Sequence, residues 1–260
     1  MVLSNGMARL LNSCLTLDVV TMCETLNILP ANYFGAWPGY TTTDSIHLLT
    51  KTVKDLWRKN QVTSALLLDI KSTFPSVDIT RLAHNMRKQG IPKEYREWLG
   101  RRFKDRQTTL MFNRFYSDPF SIQNGLNQGD PFLGILYLFY NSDLLKIPDI
   151  KLNERMLLFI DDAAILVTGK DFSATHDKLH NIMTRTNGII DWASLYNCKF
   201  RVKKFQLLDL TKKKVPQPLN SRRKVDTPCK ALKLGNQCIP SMDTTRFLGI
   251  TLDNKLSWKP

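Results

Sequence analysis

The sequence predicts an α+β fold in which an antiparallel or mixed β-sheet is backed by helices. The first observation is the apolar run Ala65–Leu68, which ends at Asp69 and is typical of a buried strand. The second is the pair Asp161-Asp162, which lies between two short apolar segments and predicts a hairpin with both acids at its turn. Helical patterns between and around these strands supply the layer that an exposed sheet face requires.

The remaining elements follow from capping and periodicity. Thr42-Thr43-Asp44 is a helix-start signal, Val77-Asp78 and Pro92 begin two further helices, and the run after Pro131 is apolar enough for a buried helix. The predicted helices are 7–28, 42–59, 77–89, 92–103, 132–145 and 171–196, the strand is 64–70, the hairpins are 107–122 (bent near 116–118) and 156–167, and 215–229 is an exposed loop.

The acids at the ends of the predicted strands suggest a site. Asp69, Asp161 or Asp162 alone could be a turn residue, a helix cap or an ion-pair partner. Two acid-tipped strands together are harder to explain in this way, because buried carboxylates persist when paired, protonated or bound to a cation. Two Mg²⁺ ions would relieve the repulsion among three carboxylates, and such a pair suits in-line nucleotidyl transfer.

A third motif lies between these acids in the chain. The segment 124–131 is Asn-Gly-Leu-Asn-Gln-Gly-Asp-Pro, with Gln128 and Gly129 at its centre, and it leads directly into the apolar run from Phe132. By itself this segment is an ordinary loop before a core helix. Its position between the two acid motifs favours a functional role.

The order of these motifs resembles that in the palm of reverse transcriptases. The residues within the segments are similar to those of the non-LTR (LINE-like) retrotransposon branch. The matching segments are Leu29-Pro30, 34–44, 69–74, 124–131, 159–162, the group Trp192, Asn197, Phe200 and Lys204, and 247–250 with Leu256 and Trp258. The resemblance implies a right-hand polymerase palm: partial fingers at 1–63, palm with fingers insertions at 64–260, ending at the primer-grip region with the thumb absent. The chain is therefore expected to be a fingers–palm fragment.

The resemblance also implies roles for individual residues, two Mg²⁺ ions, and an RNA template, a DNA primer and dNTPs as partners. Phe74 would exclude the 2′-hydroxyl of a ribonucleotide, although it could instead only fill the core. The implied residues are Asp69, Asp161, Asp162 and Lys204 for catalysis; Asp69, Ile70 and Asp161 for metal; Ile70, Phe74, Gln128 and Gly129 for the nucleotide; and Phe247, Leu248, Gly249 and Lys203 for primer and template.

Some positions differ from the family pattern. Trp37 and Tyr40 stand where relatives usually carry arginines, Ser72 where they often carry glycine, and Leu133 where they carry serine. These differences favour an alternative, a degenerate relic that binds nucleic acid without catalysis. A group II intron-type maturase is the other alternative.

Composition agrees with a nucleic-acid partner. The formal net charge is +14, the sequence pI is about 9.6, and lysines and arginines dominate from Lys199 to Lys233. We expect no membrane partner, because no apolar run approaches about 18 residues. Five scattered cysteines predict reduced thiols in an intracellular protein, nuclear or cytoplasmic. His176 and His180 are expected to be ordinary histidines on a solvated helix face.

Overall fold

The structure is a computed structural model that describes residues 6–28, 30, 32–71, 73–217, 220–227 and 231–258, with the backbone alone at 215–226. The chain divides into two compact units. The helical unit comprises Met1–Leu29, Ser72–Ser142 and Leu195–Cys198. The sheet unit comprises Pro30–Lys71, Asp143–Ser194 and Lys199–Pro260.

Helices and strands alternate along the chain. The α-helices are α1 (Gly6–Thr25), α2 (Thr42–Arg58), α3 (Ile79–Lys88), α4 (Lys93–Phe103), α5 (Leu133–Asn141), α6 (Phe172–Thr184) and α7 (Ile189–Leu195), and short 3₁₀ helices cover Ser142–Lys146, Ile150–Leu152 and Val202–Lys204. The strands are β1 (Val62–Lys71), β2 (Gln107–Thr108), β3 (Met111–Phe112), β4 (Phe115–Tyr116), β5 (Phe120–Ser121), β6 (Glu154–Phe159), β7 (Asp162–Gly169), β8 (Lys199–Phe200), β9 (Gln206–Leu210), β10 (Lys214–Gln217), β11 (Asn220–Asp226), β12 (Leu232–Leu234), β13 (Gln237–Ile239), β14 (Ser241–Met242), β15 (Thr244–Phe247) and β16 (Ile250–Asp253).

The sheet unit is built on a mixed sheet of order β14-β9-β1-β7-β6, with the short strand β8 paired to the end of β1. Strand β14 runs parallel to β9, and the other pairs are antiparallel. The central strand β1 is apolar through most of its length because it is covered on both faces. The α+β fold class and the mixed sheet backed by helices are confirmed.

The two faces of β1 have different coverings. Ala65 and Leu67 belong to a core cluster with Leu49 of α2 and Phe247 of β15. The alternate residues point to the other face, against which α6 packs. Side chains alternate along a strand, and Asp69 is two and four positions after Leu67 and Ala65. Its side chain therefore emerges on the same face as theirs, the α2 face, at the end of the buried run.

The helical unit is organised around α5. Tyr137, Phe139 and Tyr140 in this helix are fully buried, which explains why its sequence is apolar on every side. Asn85 of α3 donates from Nδ2 to the carbonyl oxygens of Phe139 and Tyr140, both at 3.1 Å. Helix α3 begins where the sequence indicated, because the Asp78 carboxylate accepts from the Arg81 amide at 2.7 Å.

Two boundaries predicted from sequence are wrong. The helix expected over 171–196 is two helices, α6 and α7, because the chain turns at Asn187 (φ 58°) and Gly188. A Cβ on Gly188 would lie 2.6 Å from the Arg185 carbonyl oxygen, so this turn requires glycine at position 188. The helix expected over 132–145 narrows into a 3₁₀ segment after Asn141.

Two hairpin predictions also need correction. The hairpin at 107–122 turns at Asn113-Arg114, not near 116–118, and both turn residues have positive φ (46° and 68°), as a tight two-residue turn requires. The segment 215–229, expected to be a loop, contributes to the two-stranded ribbon β10–β11. Such a ribbon tolerates Pro216 because its edges need no further backbone partner.

Several expectations fall outside what the structure describes or tests. Leu29, Ser72 and Cys229 lie outside the described residues. The division into partial fingers at 1–63 and palm at 64–260 stays a prediction. The described cysteines, Cys14, Cys23, Cys198 and Cys238, are free thiols. No helix in the described part of the chain has the length and apolarity needed to span a bilayer.

Candidate active site

The Asp-Asp motif lies on the predicted hairpin. Strands β6 and β7 are antiparallel and Phe159 pairs with Asp162, which leaves Ile160 and Asp161 as a two-residue turn. The expectation that both acids lie in the turn is therefore wrong for Asp162, which is the first residue of β7. Ile160 has φ 58°, a left-handed conformation that is unfavourable for a β-branched side chain. Strained residues of this kind persist where the surrounding structure holds them, often at functional sites.

Gly35 contributes to holding this turn. The segment before it runs beside β6, where the Phe34 amide donates to the Leu158 carbonyl oxygen at 2.9 Å. A Cβ on Gly35 would lie 2.4 Å from the Ile160 amide nitrogen, closer than any side chain allows. The backbone at 35 therefore approaches the acidic turn at a distance that only glycine permits.

Sheet register brings the two acid motifs together. Asp69 of β1 is directly opposite Asp162 of β7, so the two side chains emerge on the same face of the sheet. Asp161 is next to them on the exposed turn. Burial raises the pKa of Asp162, although this residue keeps solvent access, and the neighbouring Asp161 and Asp69 carboxylates raise it further. The three acids therefore interact electrostatically.

A basic residue that sequence reasoning missed contacts the first acid. The Arg201 guanidinium forms an ion pair with the Asp69 carboxylate through Nε and Oδ2. Its Nη2 lies 3.5 Å from the carbonyl oxygen of Ile70, and its main-chain amide donates to the carbonyl oxygen of Asp69 at 2.9 Å. The sequence shows Arg201 only as one member of a basic run.

A cavity of about 260 Å³ opens beside the acids in the sheet unit. It brings together four of the residues predicted for the site. Its polar and aromatic lining is Asp69, Asp162, Lys204, Gln206, Arg246 and Phe247. Carboxylates and cations in the lining of one cavity suit a ligand that bears phosphate groups and a metal ion.

The elements after α7 place Lys204 in this cavity. Phe200 of β8 pairs with Ile70 of β1, which anchors the chain beside the strand that carries Asp69. The rings of Phe200 and Phe205 pack edge to face at 5.7 Å, on either side of the 3₁₀ turn Val202–Lys204. Lys203, also on this turn, is exposed.

The hairpin β15–β16 contributes Arg246 and Phe247 to the lining of the cavity. Phe247 pairs with Ile250, so Leu248 and Gly249 form its two-residue turn, with φ of 49° and 82°. Phe247 is buried in the core cluster while also lining the cavity. Leu248 and Gly249 are thus at the tip of the predicted primer-grip hairpin.

Of the residues predicted for the nucleotide, Ile70 is in the sheet unit, on β1, and Phe74, Gln128 and Gly129 are in the helical unit. The Leu126 amide donates to the Phe74 carbonyl oxygen at 2.9 Å, which fixes the glycine-rich loop against the segment after β1. Gln128 is exposed, and Gly129 has φ 99°, which favours glycine. The half-buried Phe74 ring packs against Tyr137 with centroids 5.3 Å apart.

A metal site is compatible with these residues but is not assembled. In the described part of the chain, no three His, Cys, Asp or Glu side chains converge closely enough to hold a metal ion. The donor set is nevertheless suitable, since carboxylate and carbonyl oxygens are the ligands that Mg²⁺ prefers. The pairing of Asp69 with Arg201 shows that this carboxylate already attracts a cation.

The prediction for His176 is wrong, whereas His180 is exposed as expected. His176 is buried, and its Nε2 lies 3.1 Å from both carboxylate oxygens of the buried Asp209. Ser64 donates to the same carboxylate at 2.5 Å. Strand β9 brings Asp209 opposite Ser64, a long-range pairing that helical spacing around His176 cannot indicate.

Comparison with known proteins gives consistent matches. A family model described as "Reverse transcriptase (RNA-dependent DNA polymerase)" matches residues 1–252. Two Drosophila melanogaster proteins, "Probable RNA-directed DNA polymerase from transposon X-element" and the corresponding protein from transposon BS, are each 22% identical over 97% and 90% of this chain. The chain spans about a quarter of their length, 26% and 25%.

Solved structures agree on the fold. Apo telomerase from Candida tropicalis matches 94% of this chain and 40% of its own with a TM-score of 0.62 at 12% identity. The same telomerase truncated from its C-terminal domain matches 93% of this chain and 44% of its own with a TM-score of 0.60, also at 12% identity.

Proposed function

The chain belongs to the reverse transcriptase (RNA-dependent DNA polymerase) family, and we propose that it is the catalytic palm of an RNA-directed DNA polymerase from a non-LTR retrotransposon. The observation that carries this proposal is the placement of Asp69 directly opposite Asp162, beside a cavity lined by Lys204 and Phe247. Both transposon relatives are named as RNA-directed DNA polymerases. The partners we propose are an RNA template, a DNA primer and dNTPs, inside the cell.

The proposed chemistry is transfer of a nucleotide to a primer 3′-hydroxyl. Asp69, the main-chain carbonyl of Ile70 and Asp161 would hold two Mg²⁺ ions, with Asp162 supporting the metal or the primer end. Bound in this way, the ions would activate the attacking hydroxyl and hold the phosphates of the dNTP.

The other residues would bind and orient the substrates. Lys204, which lines the same cavity as Asp69 and Asp162, would offer its ammonium group to the departing pyrophosphate. Phe247 and the turn at Leu248-Gly249 would position the primer, with Lys203 contacting a phosphate of the backbone.

The family pattern assigns the nucleotide to Ile70, Phe74, Gln128 and Gly129. Gln128 and Gly129 would border its base and phosphates, and Phe74 would pack beneath its sugar. These roles come from the positions that match the family pattern, and Gly129 has the conformational freedom of a loop that approaches a ligand closely.

A substitution at Asp161 separates chemistry from binding. In a polypeptide extended to the length of the transposon relatives, Asp161→Asn should abolish Mg²⁺-dependent primer extension, because it removes a metal ligand. Affinity for an RNA–DNA duplex should be unchanged or improved, since a negative charge is lost and the phosphate contacts remain. The two quantities are measured by primer extension and by fluorescence anisotropy.

Two results would contradict the proposal. Extension by the Asp161→Asn variant at the rate of the parent would make Asp161 structural. A parent that binds the duplex with steep salt dependence but extends no primer would favour the catalytically degenerate relic.

A further inference from the structure

We propose that Arg201 is an internal counter-cation of the acidic site, which holds Asp69 and the Ile70 carbonyl until a divalent cation displaces it. This inference rests on the proposed function, because the displacing cation is the one that we assign to the acids. It adds a role to a residue that the motif pattern does not include.

The contacts of Arg201 define the role. Its guanidinium contacts the Asp69 carboxylate through Nε and approaches the Ile70 carbonyl oxygen through Nη2 at 3.5 Å. Both oxygens are ligands that we assign to metal. The side chain thus places positive charge beside two of the oxygens that would bind a metal ion, so the guanidinium would compete with the ion for them.

The backbone keeps Arg201 beside the site after such a displacement. Its amide donates to the Asp69 carbonyl oxygen at 2.9 Å, and β8 pairs with β1 immediately before it. The guanidinium can therefore leave the carboxylate while the main chain stays in place. Breaking the pair therefore requires movement of the guanidinium alone, with no change in the main chain.

The solvent exposure of Arg201 and Asp69 keeps the energy needed to separate them small. The Arg201 side chain is 42% exposed and that of Asp69 is 32% exposed, so water reaches the pair and screens it. Pairs of this kind are weak. A divalent ion at Asp69 has the stronger attraction, because it carries twice the charge of a guanidinium and the neighbouring Asp161 and Asp162 carboxylates also attract it.

The test measures metal affinity directly, in the absence of nucleic acid and nucleotide. Mn²⁺ is titrated into the chain and free Mn²⁺ is followed by its electron paramagnetic resonance signal. Arg201→Gln should tighten binding by roughly 5- to 10-fold, because the competing group is removed. The matched control is Lys199→Gln, which removes the same charge from an exposed residue two positions away and should change the affinity by about twofold or less.

Two further measurements protect the interpretation. Arg201→Lys keeps the charge but loses the planar fork, so it should bind Mn²⁺ with an affinity between those of the parent and Arg201→Gln. In EDTA, Arg201→Gln should melt at a lower temperature than the parent, and Mn²⁺ should raise its melting temperature by more.

The outcomes are distinct. Equal affinities for Arg201→Gln and Lys199→Gln, or a weaker affinity for Arg201→Gln, would overturn the counter-cation role. Asp69→Asn identifies the other failure: if it binds Mn²⁺ as the parent does, the metal site of the proposed function is itself wrong. Mn²⁺ binding that depends on Asp69 and tightens only when Arg201 is changed supports both the metal site and the counter-cation role.

Discussion

Replacement of Gly35 by alanine should displace the acidic turn. The added Cβ would lie 2.4 Å from the amide nitrogen of Ile160, 2.6 Å from Cγ1 of Ile160 and 2.8 Å from the carbonyl carbon of Phe159. Ordinary contacts are 3.4 Å or more, so the backbones must separate by about 1 Å. Forced overpacking of this kind costs about 1–3 kcal/mol in the free energy of unfolding.

That cost has a measurable size. At about 2–4 °C per kcal/mol for a chain of this length, Gly35→Ala should melt roughly 2–12 °C below the parent in differential scanning calorimetry. Any primer extension that depends on Asp161 should fall by roughly 100-fold, because a 1 Å misplacement of reacting groups is that costly.

The chain offers a matched control for this substitution. Gly100 lies within α4, where an added Cβ meets nothing within 4 Å. Gly100→Ala should therefore stabilise the protein by about 0.5–1 kcal/mol, through the lower backbone entropy of the unfolded state. If Gly35→Ala melted with the parent or with Gly100→Ala, the close approach of residue 35 to the turn would not exist in solution.

Three other outcomes are expected. Burial and neighbouring carboxylates raise the pKa of Asp162 above its ordinary 3.8, so its ionisation costs stability as pH rises through the folded-state value. The melting temperature of Asp162→Asn should therefore be above that of the parent at pH 7, and the difference should shrink towards pH 4. A difference in melting temperature that does not vary with pH would contradict a raised pKa of Asp162. Phe74→Val should narrow the ratio of dNTP to rNTP kcat/KM if the ring excludes the 2′-hydroxyl, whereas a core role predicts a lower melting temperature with both nucleotides used less well. Arg185 contacts the buried Glu154 carboxylate at 3.0 and 2.9 Å. Glu154→Leu should therefore lower the free energy of unfolding, measured by urea denaturation, by about 3–5 kcal/mol, because Arg185 loses its carboxylate partner. The double variant with Arg185→Met should recover much of that loss.

Local signals in the sequence were sufficient for many elements. The capping box at Thr41 and Asp44, the Asp78 cap and the two-residue turn between β6 and β7 depend on neighbours within a few residues. Each can be recognised from the sequence because the hydrogen bonds that define it close within one turn of chain.

Local pattern failed where distant contacts decide the conformation. The break between α6 and α7 interrupts a periodicity that continues through it, since the contact of Gly188 with the Arg185 carbonyl is a property of the folded backbone. The burial of His176 depends on Asp209, which is brought beside it by the pairing of β9 with β1.

The sequence by itself determined which residues are candidates for the chemistry, because an acid at the end of an apolar strand is recognisable without knowing its partners. Only the tertiary structure decided that Asp69 faces Asp162, that Arg201 pairs with Asp69, and that Gly35 lies against Ile160. These relations depend on strand register and on close packing between segments far apart in the chain. A shift of one residue in β1 would turn Asp69 to the opposite face of the sheet while leaving every local pattern in the sequence unchanged.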